Sequence, residues 1–338
     1  MERNTNIEIL RLVLMVFIFY WHIIVHGYGY VDYWTDGIAL PFKLPGGEAE
    51  FLSVLFSPAT YCFMFISGFY GMNYSYKRHI TIEIWLIIIA CSLFLFHLFF
   101  NRNELEHITI SIVSTIFPIL GGRWWFMTEY MLIFFISPII NQGIDNIDKR
   151  TFGIIIILFL GYNFLTFFRL SPNAGSNFVG LFTVYLIGRY CNIYNFIPSI
   201  KLSCGIYVTS IFLLFSFIMA TNMLFPEHNK YVFPLLGYNT PCVMAMAISM
   251  FFIVYNIKSF TNVRINKILR PVLFIYIITD GIGKILYRFI ARLLLDNPLA
   301  GVGICILVII SCLAAGHAVV YIQNKIQTKI TENVNVSL

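Results

Sequence analysis

The chain has 338 residues, 59% hydrophobic and only 11% charged, with a net charge of +6. Soluble domains carry roughly a quarter charged residues, and the mean hydropathy of +0.81 points the same way. A soluble enzyme with a single anchor is excluded, and an all-α, polytopic integral membrane helical bundle is predicted.

The first apolar segment, Ile7 to Gly27, is long enough to cross a bilayer at about 1.5 Å per residue. It carries Glu8, Arg11, His22 and His26. Ionisable groups inside a membrane are costly and face a protein interior or a wet cavity. Arg11 and His22 are eleven residues apart. That is about three helical turns, so both point the same way, roughly 16 Å apart along the axis. Glu8 lies one turn before Arg11 and His26 one turn after His22, on or near the same face. Glu8 and Arg11 also interrupt what would be a signal-peptide core, and no small-x-small cleavage pattern follows His26. The segment is therefore expected to stay in the mature protein.

A loop rich in aromatics, glycine and acidic residues runs from Tyr28 to Glu50. Further apolar segments follow at about 52–73, 80–100, 124–141, 152–168, 179–194, 203–225, 234–256, 271–295 and 299–321, which with the first makes ten. The thirteen residues from Ile108 to Leu120 are too short to span, contain Pro118 and lead into Gly121-Gly122, so a re-entrant or interfacial segment is predicted there. Ten spans with both termini in the cytoplasm place twelve Lys and Arg residues inside, among them Lys77, Arg78 and the cluster from Lys258 to Arg270, against five outside. Arg11 then lies near the cytoplasmic face and His22 in the outer half. The positive charge reflects contact with inner-leaflet lipids, not nucleic acid. Residues 1–326 are read as one membrane domain and 327–338 as a cytoplasmic tail. The seven cysteines lie in or beside apolar segments with no CxxC pair, as small core residues do.

Histidine is the usual general base near neutral pH. A neutral imidazole at His22 suits removal of a proton from a substrate hydroxyl. An arginine at the inner end suits an anionic, phosphate-bearing donor, with Glu8 one turn away to orient its guanidinium. The plainer alternative is a structural Glu8–Arg11 pair and a hydrogen-bonded core histidine. His22 and His26 at i, i+4 also have a metal-like spacing, but no carboxylate or cysteine cluster accompanies them, and no metal is expected. Trp124, Trp125 and Tyr130 are candidates for stacking on a sugar, or members of an interfacial aromatic belt. Lys284, Arg288 and Arg292 share a helical face. Arg288 and Arg292 can snorkel; Lys284 is deeper and is a candidate contact for an anionic glycan or lipid phosphate.

The opening Asn4-x-x-x-Glu8-x-x-Arg11, followed by His22, resembles the signature of membrane acyltransferase family 3. Phe65-Ile-Ser-Gly68-Phe-Tyr-Gly71 is similar to that family's second-helix stretch, and Arg123-Trp-Trp-Phe to Ser137-Pro138-Ile-Ile-Asn141 to a later one. Phe274-Ile-Tyr276-Ile-Ile-Thr279-Asp280 is similar to a "GIYLIHD" stretch near the end. The resemblance implies transfer of an acyl group, commonly acetyl from acetyl-CoA, to a hydroxyl of a sugar or surface glycan. It implies His22 as the catalytic residue, Arg11 and Glu8 as its partners, and Arg11, Lys77 and Arg78 at the donor. It implies no permanently bound cofactor, with acyl-CoA, a surface or lipid-linked glycan and membrane lipids as partners, in the bacterial inner membrane. Two departures stand out. Thr279 occupies the place of a frequent histidine, and the basic motif after the second helix is reduced to Lys77-Arg78-His79. The alternative reading is a glycan or small-molecule exporter whose intramembrane charges line a pathway. Such proteins often show paired repeats, and no convincing repeat is present here.

Overall fold

The computed structural model describes residues 4–36, 38, 40, 44, 47–100, 108–168, 175–225 and 232–336, without the side chains of 108–111 and 326–336. All regular structure among them is helical. In chain order the helices are α1 (Thr5–His22), α2 (Tyr30–Asp36), α3 (Glu48–Phe56), α4 (Ala59–Tyr70), α5 (Tyr76–Phe100), α6 (Ile108–Ile116), α7 (Trp125–Asp145) and α8 (Lys149–Phe168). They continue as α9 (Phe178–Ile193), α10 (Ile200–Leu224), α11 (Val232–Leu235), α12 (Pro241–Tyr255), α13 (Val263–Ile268), α14 (Leu273–Ile282), α15 (Lys284–Asp296) and α16 (Pro298–Val336).

The first helix is the centre of the bundle. Leu14, Met15 and Phe19 are fully buried, and α1 packs against α3, α4, α12 and α14. Asn4 caps it by accepting the Asn6 N–H, and Glu8 in the first turn suits the positive end of the helix dipole. Its start is held by the chain around α13. The Thr5 N–H donates to Phe260 O at 2.9 Å, the Thr5 hydroxyl to Asn266 Oδ1 at 2.9 Å, and Asn6 Nδ2 to Lys258 O at 3.1 Å. At its far end α1 passes into a π-helical turn, Ile23–Gly27, closed by Tyr28 N–H to Ile23 O at 2.9 Å. Such turns are rare and concentrate at functional sites.

Six helical stretches among the described residues are long and apolar enough to cross a membrane: Thr5–Gly27, Glu48–Tyr70, Tyr76–Phe100, Lys149–Phe168, Ile200–Leu224 and Pro298–Lys325. They match six of the ten expected spans. Of the other four, α9 and α12 are shorter apolar helices, and α7 contains Pro138. The tenth expectation needs correction: 271–295 is two helices, not one. The chain breaks at Gly283, with φ 76° and ψ −151°, a conformation reserved almost entirely to glycine. Hydropathy averages over such a break. The nine residues of α6 rise only about 13 Å, too little for a hydrocarbon core of about 30 Å, as expected for 108–120. α16 runs on through the boundary at 326 to Val336.

Outer helices α8, α10 and α16 turn large apolar side chains outward, among them Ile157, Leu165, Phe212 and Leu307. A continuous apolar exterior is what lipid demands of a bundle. Inside, small residues bring backbones together. A Cβ on Gly68 of α4 would lie 2.4 Å from Tyr185 O and 2.8 Å from Tyr185 Cα on α9. These are backbone atoms that cannot step aside. Gly68→Ala is therefore expected to force α4 and α9 apart and destabilise the protein by about 1–3 kcal/mol, read as a lowered melting temperature in nanodiscs. Gly205→Ala, which meets nothing within 4 Å, should melt with the wild type. Equal melting of both variants would contradict the close helix contact.

Candidate active site

Two cavities lie at opposite ends of α1. The proximal one, at the start of the helix, has a volume of about 550 Å³. Glu8 and Arg11 line it from α1, Lys77, Arg78 and Thr81 from α5, Tyr130 from α7, and Arg270 from the turn before α14. Four cations thus face one carboxylate, and that carboxylate is already engaged: Arg11 Nη1 donates to Glu8 Oε1 at 2.6 Å. Glu8 is buried and Arg11 partly exposed, so the ion pair holds the guanidinium at the cavity wall with donors to spare. A charged, roomy cavity with aromatic walls (Trp85, Phe126 and Phe274) suits a multiply anionic ligand with a flat ring.

The distal cavity, about 140 Å³, is lined by Trp21, His22, Val25 and His26 from the end of α1 and its π turn, with Trp125 and Tyr238 opposite. His22 is nearly buried. Its Nδ1 lies 3.0 Å from the Tyr287 hydroxyl of α15 and 3.7 Å from Asp280 Oδ1 of α14. The rings of His26, Tyr287 and Tyr276 stand 5.5, 5.4 and 6.2 Å from the imidazole. The partition between the cavities is α14. Leu273, Phe274 and Ile277 line the proximal side, while Tyr276 and Asp280 are placed toward His22.

The expected site residues are thus divided between two chambers. Glu8, Arg11, Lys77, Arg78 and Tyr130 meet in the proximal one; His22 and Trp125 meet in the distal one. The three aromatics considered together as a stacking platform are split. Trp125 stacks on Tyr238 with ring centres 5.7 Å apart. Trp124 is 1% exposed and donates its indole N–H to Ile277 O at 3.1 Å, so it braces the partition and offers no free face. Lys284 is at α15's start, half exposed, with its Nζ 3.6 Å from Asp32 Oδ2 on α2.

Three residues escaped the sequence reading. Asp280 is the one carboxylate in the apolar run 271–295, and that isolation was a usable signal. Arg270 was counted only as part of a loop cluster. Tyr287 carried no signal, since its approach to His22 follows from the break at Gly283. The Gly27 backbone lets α15 come in: a Cβ there would sit 2.6 Å from Tyr287 O.

The fold and its two chambers define a multi-pass helical membrane protein with a polar centre built on its first helix. The chain belongs to the acyltransferase 3 family, whose model, described as an acyltransferase domain, matches residues 4–317. It is a membrane acyltransferase. The match opens at Asn4, the cap of α1, and takes in both cavities. No curated protein matches the chain, and no solved structure does.

Proposed function

We propose that this acyltransferase moves an acyl group, acetyl in the first instance, from cytoplasmic acyl-CoA to a hydroxyl of a cell-surface or exported glycan. The observation that carries the reading is the division of α1 between a cationic chamber and a chamber holding an imidazole, with α14 between them. The donor's phosphates are assigned to Arg11, Lys77 and Arg78, with Arg270 added from the structure. The acceptor is assigned to the distal chamber, where the exposed face of Trp125 suits a sugar ring; Lys284, outside the chamber's lining and beside Asp32, is assigned as a contact for an anionic acceptor. His22 acts as general base. It takes the proton from the acceptor hydroxyl as the oxygen adds to the thioester carbonyl. The carbon–sulfur bond then breaks, and the CoA thiolate leaves, taking up a proton from the imidazolium. Both termini face the cytoplasm of a bacterial inner membrane, in keeping with the basic bias of the loops, and residues 327–338 form the tail.

The test uses purified protein in nanodiscs with labelled acetyl-CoA and extracted surface glycan, followed by mass spectrometry of the product. The expected result is one acetyl ester formed for each free CoA thiol released. A protein that neither binds nor consumes any acyl-CoA, yet carries glycan across vesicles, would overturn the reading in favour of export.

A further inference from the structure

The outer helix α16 reaches the proximal chamber from behind through one polar side chain. Gln323 is 2% exposed, on a helix that turns Ile306, Leu307 and Ile310 outward. A buried amide is costly unless its polar ends are paired, and both ends of this one are. Its Oε1 accepts the indole N–H of Trp85 at 2.9 Å, and its Nε2 donates to Thr81 Oγ1 at 3.3 Å. Chemistry fixes each direction. An indole N–H only donates, and the Thr81 hydroxyl places its proton on Lys77 O at 2.8 Å, so it meets the amide as an acceptor. Trp85 and Thr81 line the chamber and Gln323 does not; it is the brace behind that wall. It also lies beyond residue 317, where the match to the acyltransferase domain ends.

The braced ring stands at the inner end of the chamber. Lys77, Thr81 and Trp85 follow one another at four-residue steps along one face of α5, and the rise from Lys77 to Trp85 is about 12 Å. Across the chamber, Arg270 precedes Phe274 by four residues. Both walls thus run from a cation to an aromatic ring, and the two rings meet, with centres 5.5 Å apart. Leu86, Phe126 and Ile277 complete the apolar end, against the partition. A donor held by its phosphates at the cationic end lays its uncharged arm past Trp85 toward α14.

We propose that Trp85 contacts the neutral, amide-bearing arm of the acyl-CoA donor, and that Gln323 is a positioning residue that holds the indole in place for it. The inference rests on the reading of the proximal chamber as the donor site and adds how the thioester end is guided to the partition. Without the amide the indole loses its anchor on α16 and is left with the Phe274 contact alone to orient it toward the arm.

The test divides the donor into its parts. Purified full-length protein in nanodiscs is given acetyl-CoA, acetyl-pantetheine (the arm without the nucleotide) or adenosine 3′,5′-bisphosphate (the nucleotide end without the arm). Gln323→Met keeps the volume and removes both hydrogen bonds. The expected result is a KM raised by the same factor for both thioesters, about two- to tenfold. The kcat and the affinity for the bisphosphate should stay at wild-type values. Trp85→Phe removes the indole N–H and should act in the same way, and it carries the test alone if Gln323→Met fails to fold. The double variant should be little worse than either single one, because the brace acts through the ring. Wild-type KM values for both thioesters in folded Gln323→Met protein would overturn the proposal, as would fully additive effects of the two substitutions. A loss confined to acetyl-CoA and the bisphosphate would place the nucleotide on Trp85 and overturn it too. Wild-type protein that binds neither thioester nor the bisphosphate would sink the donor reading itself, and this assignment with it.

Discussion

Alanine at position 22 is expected to remove acyl transfer while the protein still inserts and folds. The ring touches the distal chamber with the one nitrogen that Tyr287 and Asp280 leave free. Among the described residues, the other imidazole lining that chamber, His26, comes from the π turn one helical turn further on. Loss of a general base typically costs about 10²–10⁴-fold in rate, which is roughly 3–5 kcal/mol of barrier. The folded state loses far less, a single neutral hydrogen bond worth about 0.5–1.5 kcal/mol. The two quantities separate cleanly in experiment. Acetyl ester formation should vanish into background, and the melting temperature in nanodiscs should move by only a few degrees. Wild-type acylation by well-folded His22→Ala protein would remove this residue from the chemistry.

Lysine at position 11 is expected to keep the charge and lose most of the activity. Arg11 uses one nitrogen on buried Glu8 and turns its remaining donors to the proximal chamber. A lysine ammonium is a single point on a flexible stem and has no planar fork to divide between two partners. Held by Glu8, it deserts the donor; drawn to the donor, it gives up the charge-assisted bond to a buried carboxylate. A charge-assisted hydrogen bond is worth on the order of 1.5–3 kcal/mol, so activity should fall about ten- to a hundredfold. The substitution is preferred to alanine because alanine removes the cation beside buried Glu8 and would confuse folding with function. Binding of acetyl-CoA and its turnover, measured side by side in nanodiscs, decide the matter. Near-normal values for Arg11→Lys would reduce the pair to a structural anchor.

The sequence disclosed what depends on local spacing. α1 could be read from its length and the pattern Glu8, Arg11, His22, because those features are properties of one helix. The short segment at 108–120 was legible because Pro118 and Gly121-Gly122 interrupt it. What depends on one segment meeting another was not legible. The run 271–295 has the apolar content of a span, and only the backbone at Gly283 divides it. Trp124 and Trp125 are neighbours in sequence with the same chemistry, yet the helix start between them sends one into the partition and the other to the chamber. Lys284 seemed too deep to be idle, and its partner Asp32 comes from a loop helix whose position no periodicity reveals.

Gly283 has a mechanical side. Asp280 and Tyr287 hold the His22 ring from α14 and α15, on either side of that one residue. The angle between those two helices is set by two dihedrals that any side chain would disturb. Tyr287 lies four residues past the joint, about 6 Å along the helix, so a swing of ~10° carries its hydroxyl by ~1 Å. A displacement of that size is enough to cost about 10²-fold in a reaction that depends on alignment. The ring is thus gripped as if by tweezers, with Gly283 at the pivot.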